Sequence, residues 1–221
     1  MQKRSIKIGN YNTAETGLWT LTAWELAPAE ADTNLVQVPG GNRPLDLSTA
    51  LTDGEPTYSG TRPLEITLES SEGNRLERKA RIDAMVNQLD GWRLQVWLPD
   101  DPDHYLIGRV SVRELYNDLA HCSVQVSVIC DSWKYSNAET VVELAASGTA
   151  KKATLTNQGR LSVAPMLTVT GGSVSLAFGS DSWTLSPGTY QLPALYLRTG
   201  EHEITYSGAG ALKFAYREAI L

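Results

Sequence analysis

The chain has 221 residues and a mass of 24.1 kDa, long enough to bury about 70% of its unfolded surface without a metal ion or a disulfide. Its 25 acidic and 19 basic residues give a net charge of −6. That balance argues against a dedicated nucleic-acid binder, whose affinity comes from Lys and Arg at phosphates, but not against a protein through which DNA passes.

No stretch approaches the roughly 20 apolar residues that a membrane span requires. The basic opening at residues 1–8 is followed by Gly9, Asn10 and Asn12, where a signal peptide would need an apolar run. We therefore expect the protein to be made and folded in a cytoplasm.

Short extended segments occupy the first 72 residues, with strands predicted over residues 5–8, 19–26 and 34–38. Pro39-Gly40 is a type II turn signal. Gly41 does not begin a phosphate-binding loop, because no Lys-Ser/Thr and no helix follow it. Residues 36–47 are therefore predicted to be an extended arm that contains a turn.

One α-helix is predicted, over about residues 75–90. Asn74 and Glu77 form a capping box, and Gly91 supplies the positive φ that commonly ends a helix. Apolar residues recur at helical spacing in the last two turns, at Ile82, Met85, Val86 and Leu89. The first turns carry a basic cluster, formed by Arg75, Arg78, Lys79 and Arg81. Only the last turns are predicted to be buried, and the basic cluster is either a solvated face or a contact for a protein partner.

Alternating strands flank this helix. Apolar residues alternate with polar ones before it at Leu64, Ile66 and Leu68, and after it at Leu94, Val96 and Leu98. A further strand is predicted over residues 105–112, and the most regular one covers residues 122–130. Cys122 and Cys130 lie in that last strand, about 26 Å apart at ~3.3 Å per residue, so they cannot form a disulfide within it.

The acidic loop between two of these strands is the nearest approach to a metal or acid–base cluster. It contains Asp100, Asp101, Asp103 and His104. It lacks the Gly and the distal Glu of a calcium loop, and Asp and Pro are typical of a tight hairpin, so we predict a turn.

The second half of the chain differs in composition. Only 12 of the 44 charged residues lie in residues 138–221, and five of the six tryptophans precede them. Short alternating runs separated by glycine-containing turns favour a β-sandwich. The predicted domains are residues 1–135, mainly β with one helix, and residues 136–221, a β-sandwich.

No constellation for catalysis is apparent. The sequence has three histidines and lacks the G-x-S-x-G, H-E-x-x-H, P-loop and C-x-x-C motifs. We predict no catalytic, cofactor-binding or metal-binding residue, and a hydrolase that uses the acidic loop remains the least favoured alternative.

The order and spacing of several segments resemble the distal tail protein (Dit) family of long-tailed siphophages and related prophages. In the first half these are residues 38–47, 58–62, 86–91, 99–101 with 105–109, and 131–133; in the second half they are residues 156–160 with Pro165, and 214–221. The resemblance spans nearly the whole chain, although Arg43-Pro44 stand where members often have Gly and a small polar residue.

The resemblance implies a ring-forming N-terminal β-domain with one helix and a galectin-like C-terminal β-sandwich. It further implies a non-enzymatic virion protein without a cofactor, a homo-hexameric ring that joins the tail tube protein to tail tip or baseplate proteins. DNA would only pass through its lumen, and no membrane would be involved.

A ring requires two unlike surfaces on each chain. The candidate interface combines an apolar arm, the basic cluster and the acidic loop: Val36, Val38, Leu45, Leu47, Arg75, Arg78, Lys79, Asp100, Asp101 and Asp103. The alternative function is a carbohydrate-binding adhesion module, in which Trp183 with Asp181 would form the sugar site.

Overall fold

The structure is a computed structural model that describes residues 5–52 and 54–221, so the first four residues of the basic opening lie outside the described residues. The chain divides into two units, Met1–Lys134 and Tyr135–Leu221. Neither helix of the described residues is both long and apolar enough to cross a membrane.

The strands and helices that begin in the first unit are β1 (Lys7–Ile8), β2 (Tyr11–Asn12), α1 (Thr13–Thr16), β3 (Thr20–Leu26), β4 (Leu35–Val36), β5 (Leu45–Asp46), β6 (Thr61–Ser70), α2 (Arg75–Leu89), β7 (Arg93–Leu98), β8 (Asp101–Asn117) and β9 (Cys122–Ser136). One sheet contains seven of these strands, in the order β2-β1-β7-β8-β9-β6-β3. Strands β4 and β5 form a separate hairpin.

Helix α1 adds a second helix to the single one predicted. Asn12 caps its start by accepting a hydrogen bond from the Ala14 amide at 3.0 Å, and Gly17 ends it with φ of 61°. Four residues are too short to produce a periodic apolar signal, which is why the sequence pattern did not predict this helix.

Helix α2 confirms the predicted helix and both of its ends. Asn74 and Glu77 form the capping box, and Gly91 follows the last turn with φ of 77°. Ile82, Met85 and Leu89 are buried in the core of the first unit. Fully burying a side chain of this size contributes about 1.5–3 kcal/mol, so packing against the sheet rather than intrinsic propensity holds the helix.

The predicted hairpin turn before β8 is tighter than expected. Leu98 pairs with Asp101, which leaves Pro99 and Asp100 as a two-residue turn. Asp101 and Asp103 therefore belong to β8, which begins four residues before the strand predicted from residue 105 and extends to Asn117.

Strand β9 likewise extends beyond the predicted residues 122–130. The polar Ser132 occupies a buried position in the strand, where its hydroxyl donates a hydrogen bond of 2.9 Å to the Gly60 carbonyl. This polar residue ends the apolar pattern without ending the strand. Cys122 and Cys130 are buried and form no disulfide, as their separation along one strand requires.

The second unit contains β10 (Thr140–Ala145), β11 (Lys151–Asn157), β12 (Met166–Thr170), β13 (Val174–Phe178), β14 (Asp181–Leu185), β15 (Gly188–Gln191), β16 (Gly200–Gly208), β17 (Ala211–Tyr216) and β18 (Ala219–Ile220). Two four-stranded sheets form, in the orders β10-β17-β12-β15 and β11-β16-β13-β14. Both sheets contribute to one apolar core, for example Phe214 from the first and Leu176 from the second. The mainly β, sandwich-like fold predicted from the sequence is confirmed.

Candidate subunit interface

The arm, defined here as residues 33–52, leaves the first unit between β3 and β6. Its base is held by Asp32, whose carboxylate accepts hydrogen bonds from the Ser59 amide at 3.0 Å and the Ser59 hydroxyl at 2.9 Å. Hydrogen bonds from Thr57 and Ser59 lower the pKa of Asp32. The Asp32 amide also donates to the Thr57 carbonyl at 2.8 Å, so hydrogen bonds connect the two ends of the segment that contains the arm.

The arm is built as a short hairpin. Leu35 pairs with Asp46 and Val36 with Leu45. The Gly41 amide donates to the Val38 carbonyl at 2.9 Å, and Gly40 has φ of 77°, as the predicted type II turn requires. A hairpin with two residue pairs has no core of its own and is marginally stable at best in water.

This hairpin exposes a row of apolar side chains. Leu35, Val36, Val38, Leu45 and Leu47 are 57%, 42%, 46%, 52% and 36% exposed. Four of the five were predicted as interface residues. Leu35, the fifth, lies on the opposite face of the hairpin from the Val36–Leu45 pair, because side chains alternate along a strand. Because monomeric proteins rarely expose contiguous apolar patches without a use for them, the arm has the composition of a contact surface.

The basic cluster differs from its prediction at Arg78, which is 1% exposed. Its guanidinium donates from Nη1 to the Gly73 carbonyl at 2.5 Å, from Nη2 to the Asp118 carbonyl at 2.7 Å and from Nε to Asn117 Oδ1 at 3.4 Å. The prediction that Arg78 is an exposed contact residue was wrong, because carbonyls that follow β6 and β8 supply acceptors for a buried guanidinium.

The other members of the cluster are partly occupied by contacts within the chain. Lys79 is exposed but forms ion pairs with Asp83 at 2.8 Å and Glu114 at 3.1 Å. Arg81 donates to the Glu72 carbonyl at 2.9 Å, and Arg75 is exposed. Arg75 and Lys79 therefore remain as the exposed part of the predicted basic surface.

The acidic loop also contains both a paired residue and exposed ones. Asp101 is half-buried and accepts from His104 Nδ1 at 2.7 Å and Lys134 Nζ at 3.0 Å, whereas Asp100 and Asp103 are exposed. Burial alone would raise the pKa of Asp101, but the hydrogen bonds from His104 and Lys134 outweigh it and lower that pKa. Asp101 therefore stabilises the β7–β8 hairpin more than it presents charge to a partner.

Asp101→Asn is expected to lower the free energy of unfolding by about 1 kcal/mol at pH 7. The carboxylate has a lowered pKa in the fold, so its contribution is present above its ordinary value of 3.8 and is lost as the pH falls through the lower folded value. Urea unfolding at pH 7 and at about pH 3 measures the difference in the free energy of unfolding between the wild type and Asp101→Asn. This difference should be smaller at the lower pH. Asp103→Asn is the matched control, and an equal effect at both pH values would contradict the prediction.

The remaining exposed charges lie at opposite ends of β8. Asp100 and Asp103 flank its first residue, and the Asn117 side chain at its last residue donates to the Arg75 carbonyl at 3.1 Å. A 17-residue strand spans up to about 50 Å at ~3.3 Å per residue. A head-to-tail contact would bring two such ends together.

The alternative sugar site has a different environment from the one predicted. Trp183 is half-buried, pairs in register with the buried Leu176 and packs against the sandwich core, while Asp181 is exposed. A sugar-binding platform needs an open ring face. The site at Trp183 and Asp181 stays a prediction, and this packing counts against it.

The cysteines are poorly suited to nucleophilic chemistry, since burial raises the pKa of Cys130 to about 12. Within the described residues, no group of three or more His, Cys, Asp or Glu side chains is placed to hold a metal ion.

The fold has a relative among solved structures. The sequence matches no family model and no curated protein. The structure matches the Dit protein of SPP1, described as a paradigm of the hub adsorption apparatus in phages that infect Gram-positive bacteria, with a TM-score of 0.67 at 12% sequence identity. The alignment covers 96% of this chain and 98% of that one. The chain has a Dit fold. Because the alignment covers 96% of the chain, the likeness of fold includes both units and is not confined to one sheet.

Proposed function

We propose that the chain is a non-enzymatic structural protein of a phage or prophage tail, with the role of a distal tail protein. Six copies form a ring that connects the tail tube protein to the tail tip or baseplate proteins, and DNA passes through its lumen. The protein is made in the cytoplasm of the bacterial host and functions in the virion tail.

The observation that carries this proposal is the Dit fold over 96% of the chain. The exposed arm supports it independently, because a row of apolar side chains on a hairpin without a core is what a subunit contact would cover. The first unit, with its arm and its two charged ends, would form the ring. The second unit would be a galectin-like sandwich.

The mass in solution tests the ring. Multi-angle light scattering across a concentration series should show a species of six 24.1 kDa chains, about 145 kDa. The combined Arg75→Glu and Lys79→Glu variant should weaken this species at low salt and less so at high salt, because exposed charges act through a screened field. Asp83→Asn, which removes a surface ion pair with Lys79, is the control. A strict monomer at the highest concentration would contradict the autonomous ring.

A further inference from the structure

The first unit contains an open polar cleft between the start of β3, the end of β6 and the turn that joins β8 to β9. Its volume is about 380 Å³, at the lower end of the ~300–1,000 Å³ typical of small-molecule sites. Its polar lining residues are Thr20, Thr22, Glu69, Ser70, Ser71 and His121. Several of them, such as Thr22, Ser71 and His121, are exposed, so a small molecule can enter the cleft from solvent.

Glu69 supplies the carboxylate of this cleft and is only weakly bonded within the chain. It is half-buried and pairs in register with Thr20 of β3 on one side and with Ser123 of β9 on the other. Its Oε1 atom lies 3.5 Å from the Tyr116 hydroxyl, at the outer limit of a hydrogen bond. No side chain of the described residues donates a shorter hydrogen bond to this carboxylate.

Glu65 shows how the same sheet satisfies a carboxylate that has no cleft beside it. Glu65 precedes Glu69 by four residues on β6, so both side chains lie on one face of the strand. Both are half-buried, but Glu65 accepts hydrogen bonds from Gln125 at 2.8 Å and from Ser127 at 2.6 Å. Glu69 therefore keeps acceptor capacity for a ligand that Glu65 uses within the fold.

The groups around Glu69 can both donate and accept hydrogen bonds. The Thr22 hydroxyl donates to the Thr67 carbonyl at 3.3 Å, which leaves its oxygen available as an acceptor. Tyr116 is 39% exposed beside the cleft, and the His121 ring packs edge-to-face against it with 5.3 Å between the ring centroids. A phenol and an imidazole each combine a donor with an acceptor.

This lining restricts the chemistry of the ligand. The described residues contain no group of three His, Cys, Asp or Glu side chains that could hold a metal ion. An anion would be repelled by Glu69 and by Asp118, whose carboxylate lies 3.5 Å from His121 Nδ1. An apolar ligand would desolvate the Glu69 carboxylate without a partner. An ammonium ion would satisfy Glu69 but would offer no acceptor to the hydroxyl groups of the cleft.

We propose that the polar cleft binds a small neutral saccharide, with the two oxygens of Glu69 accepting hydrogen bonds from its hydroxyl groups. Each sugar hydroxyl donates one hydrogen bond and accepts others, so it matches both the carboxylate and the hydroxyl groups of Thr20 and Thr22. The exposed part of the Tyr116 ring provides apolar surface for the C–H groups of a sugar ring. The site does not depend on the proposed ring, because all of its residues belong to the first unit.

Saturation-transfer difference NMR tests the site with glucose, galactose, mannose and N-acetylglucosamine as probes. This measurement detects the signals of the sugar, so it works equally for a monomer and for a hexamer. At least one sugar should bind with a Kd on the order of 1 mM. Absence of saturable binding for all four sugars up to about 100 mM would overturn the proposal, and so would binding of methylammonium chloride alone.

Glu69→Gln tests whether the sugar occupies this cleft. It keeps the size of the side chain and removes the charge, and we expect the Kd to rise about tenfold, because charged acceptors form hydrogen bonds roughly twice as strong as neutral ones. Glu65→Gln is the matched control and should leave the Kd unchanged, since Glu65 lies on the same face outside the cleft.

Thr20→Val provides a second, independent variant. It removes one hydroxyl of the cleft at nearly constant volume and should raise the Kd about fivefold, whereas Thr67→Val, outside the cleft, should not. Circular dichroism checks that each variant is folded. A wild-type Kd in both Glu69→Gln and Thr20→Val would overturn the proposal.

Methyl glycosides of the same sugars distinguish the source of the ligand. A methyl glycoside has the linked anomeric carbon of a sugar within a glycan, whereas the unmodified sugar represents a free metabolite. Binding of both forms supports a saccharide site for a glycan, and binding of the unmodified sugars alone supports a saccharide site for a free sugar.

Discussion

We expect Val36→Asp combined with Leu45→Asp to abolish the assembly of the proposed ring and to leave the monomer folded. The two residues face each other in the hairpin and are 42% and 52% exposed, so the monomer gains little from them. Burying the exposed half of each side chain in a contact would contribute about half of the ~1.5–3 kcal/mol of full burial, so their loss is expected to weaken association on the order of 10-fold or more. Burial of the new carboxylates adds a desolvation penalty in the same direction.

Light scattering and circular dichroism together measure this outcome. The variant should give a 24.1 kDa species with the secondary structure and the Tm of the wild-type monomer. Leu119→Asp is the matched control, because Leu119 is 92% exposed and lies outside the arm. A double variant that still assembles like the wild type would remove the arm from the interface.

Arg78→Met is expected to destabilise the first unit by about 3 kcal/mol and to lower its Tm by on the order of 10 °C. The substitution leaves the carbonyls of Gly73 and Asp118 without their donor. It also removes the hydrogen bond that connects the start of α2 to the turn between β8 and β9. A buried polar group that is left without its hydrogen-bond partner lowers stability by about 1–3 kcal/mol, and the expected destabilisation is of this size.

Chemical denaturation measures this loss, with Arg75→Met as the control. Arg75 is an exposed member of the same helical turn, so its replacement should stay within about 0.5 kcal/mol of the wild type. If Arg78→Met were as stable as Arg75→Met, the hydrogen bonds of the buried guanidinium would make no net contribution to the free energy of unfolding, which would contradict the prediction.

The burial of Arg78 changes which positions suit a charge-reversal test of the interface. The sequence places Arg78 beside Lys79 in one basic cluster, and a Glu at both positions would have been the natural test of a charged contact. The structure shows that Arg78→Glu would put a carboxylate against two carbonyls and disrupt the fold. Arg75 and Lys79 are the positions at which charge can be reversed without that loss.

Features specified by neighbouring residues could be predicted from the sequence. The ends of α2 depend on Asn74, Glu77 and Gly91, whose capping interactions reach four residues at most. The turn at Gly40 and the extended segments on either side of it are equally local, so the sequence pattern is sufficient to predict most of the exposed apolar arm. The alternation of β6 and β9 predicted which side of each strand is buried.

Features that depend on distant residues were decided only by the tertiary structure. Arg78 is buried because Asn117 and Asp118, 39 and 40 residues away, bring acceptors to it, and Asp101 is paired because Lys134, 33 residues away, reaches it across the sheet. A charged side chain is a solvated group or a buried one according to which partners the fold brings within about 3 Å, and local patterns in the sequence do not contain that information.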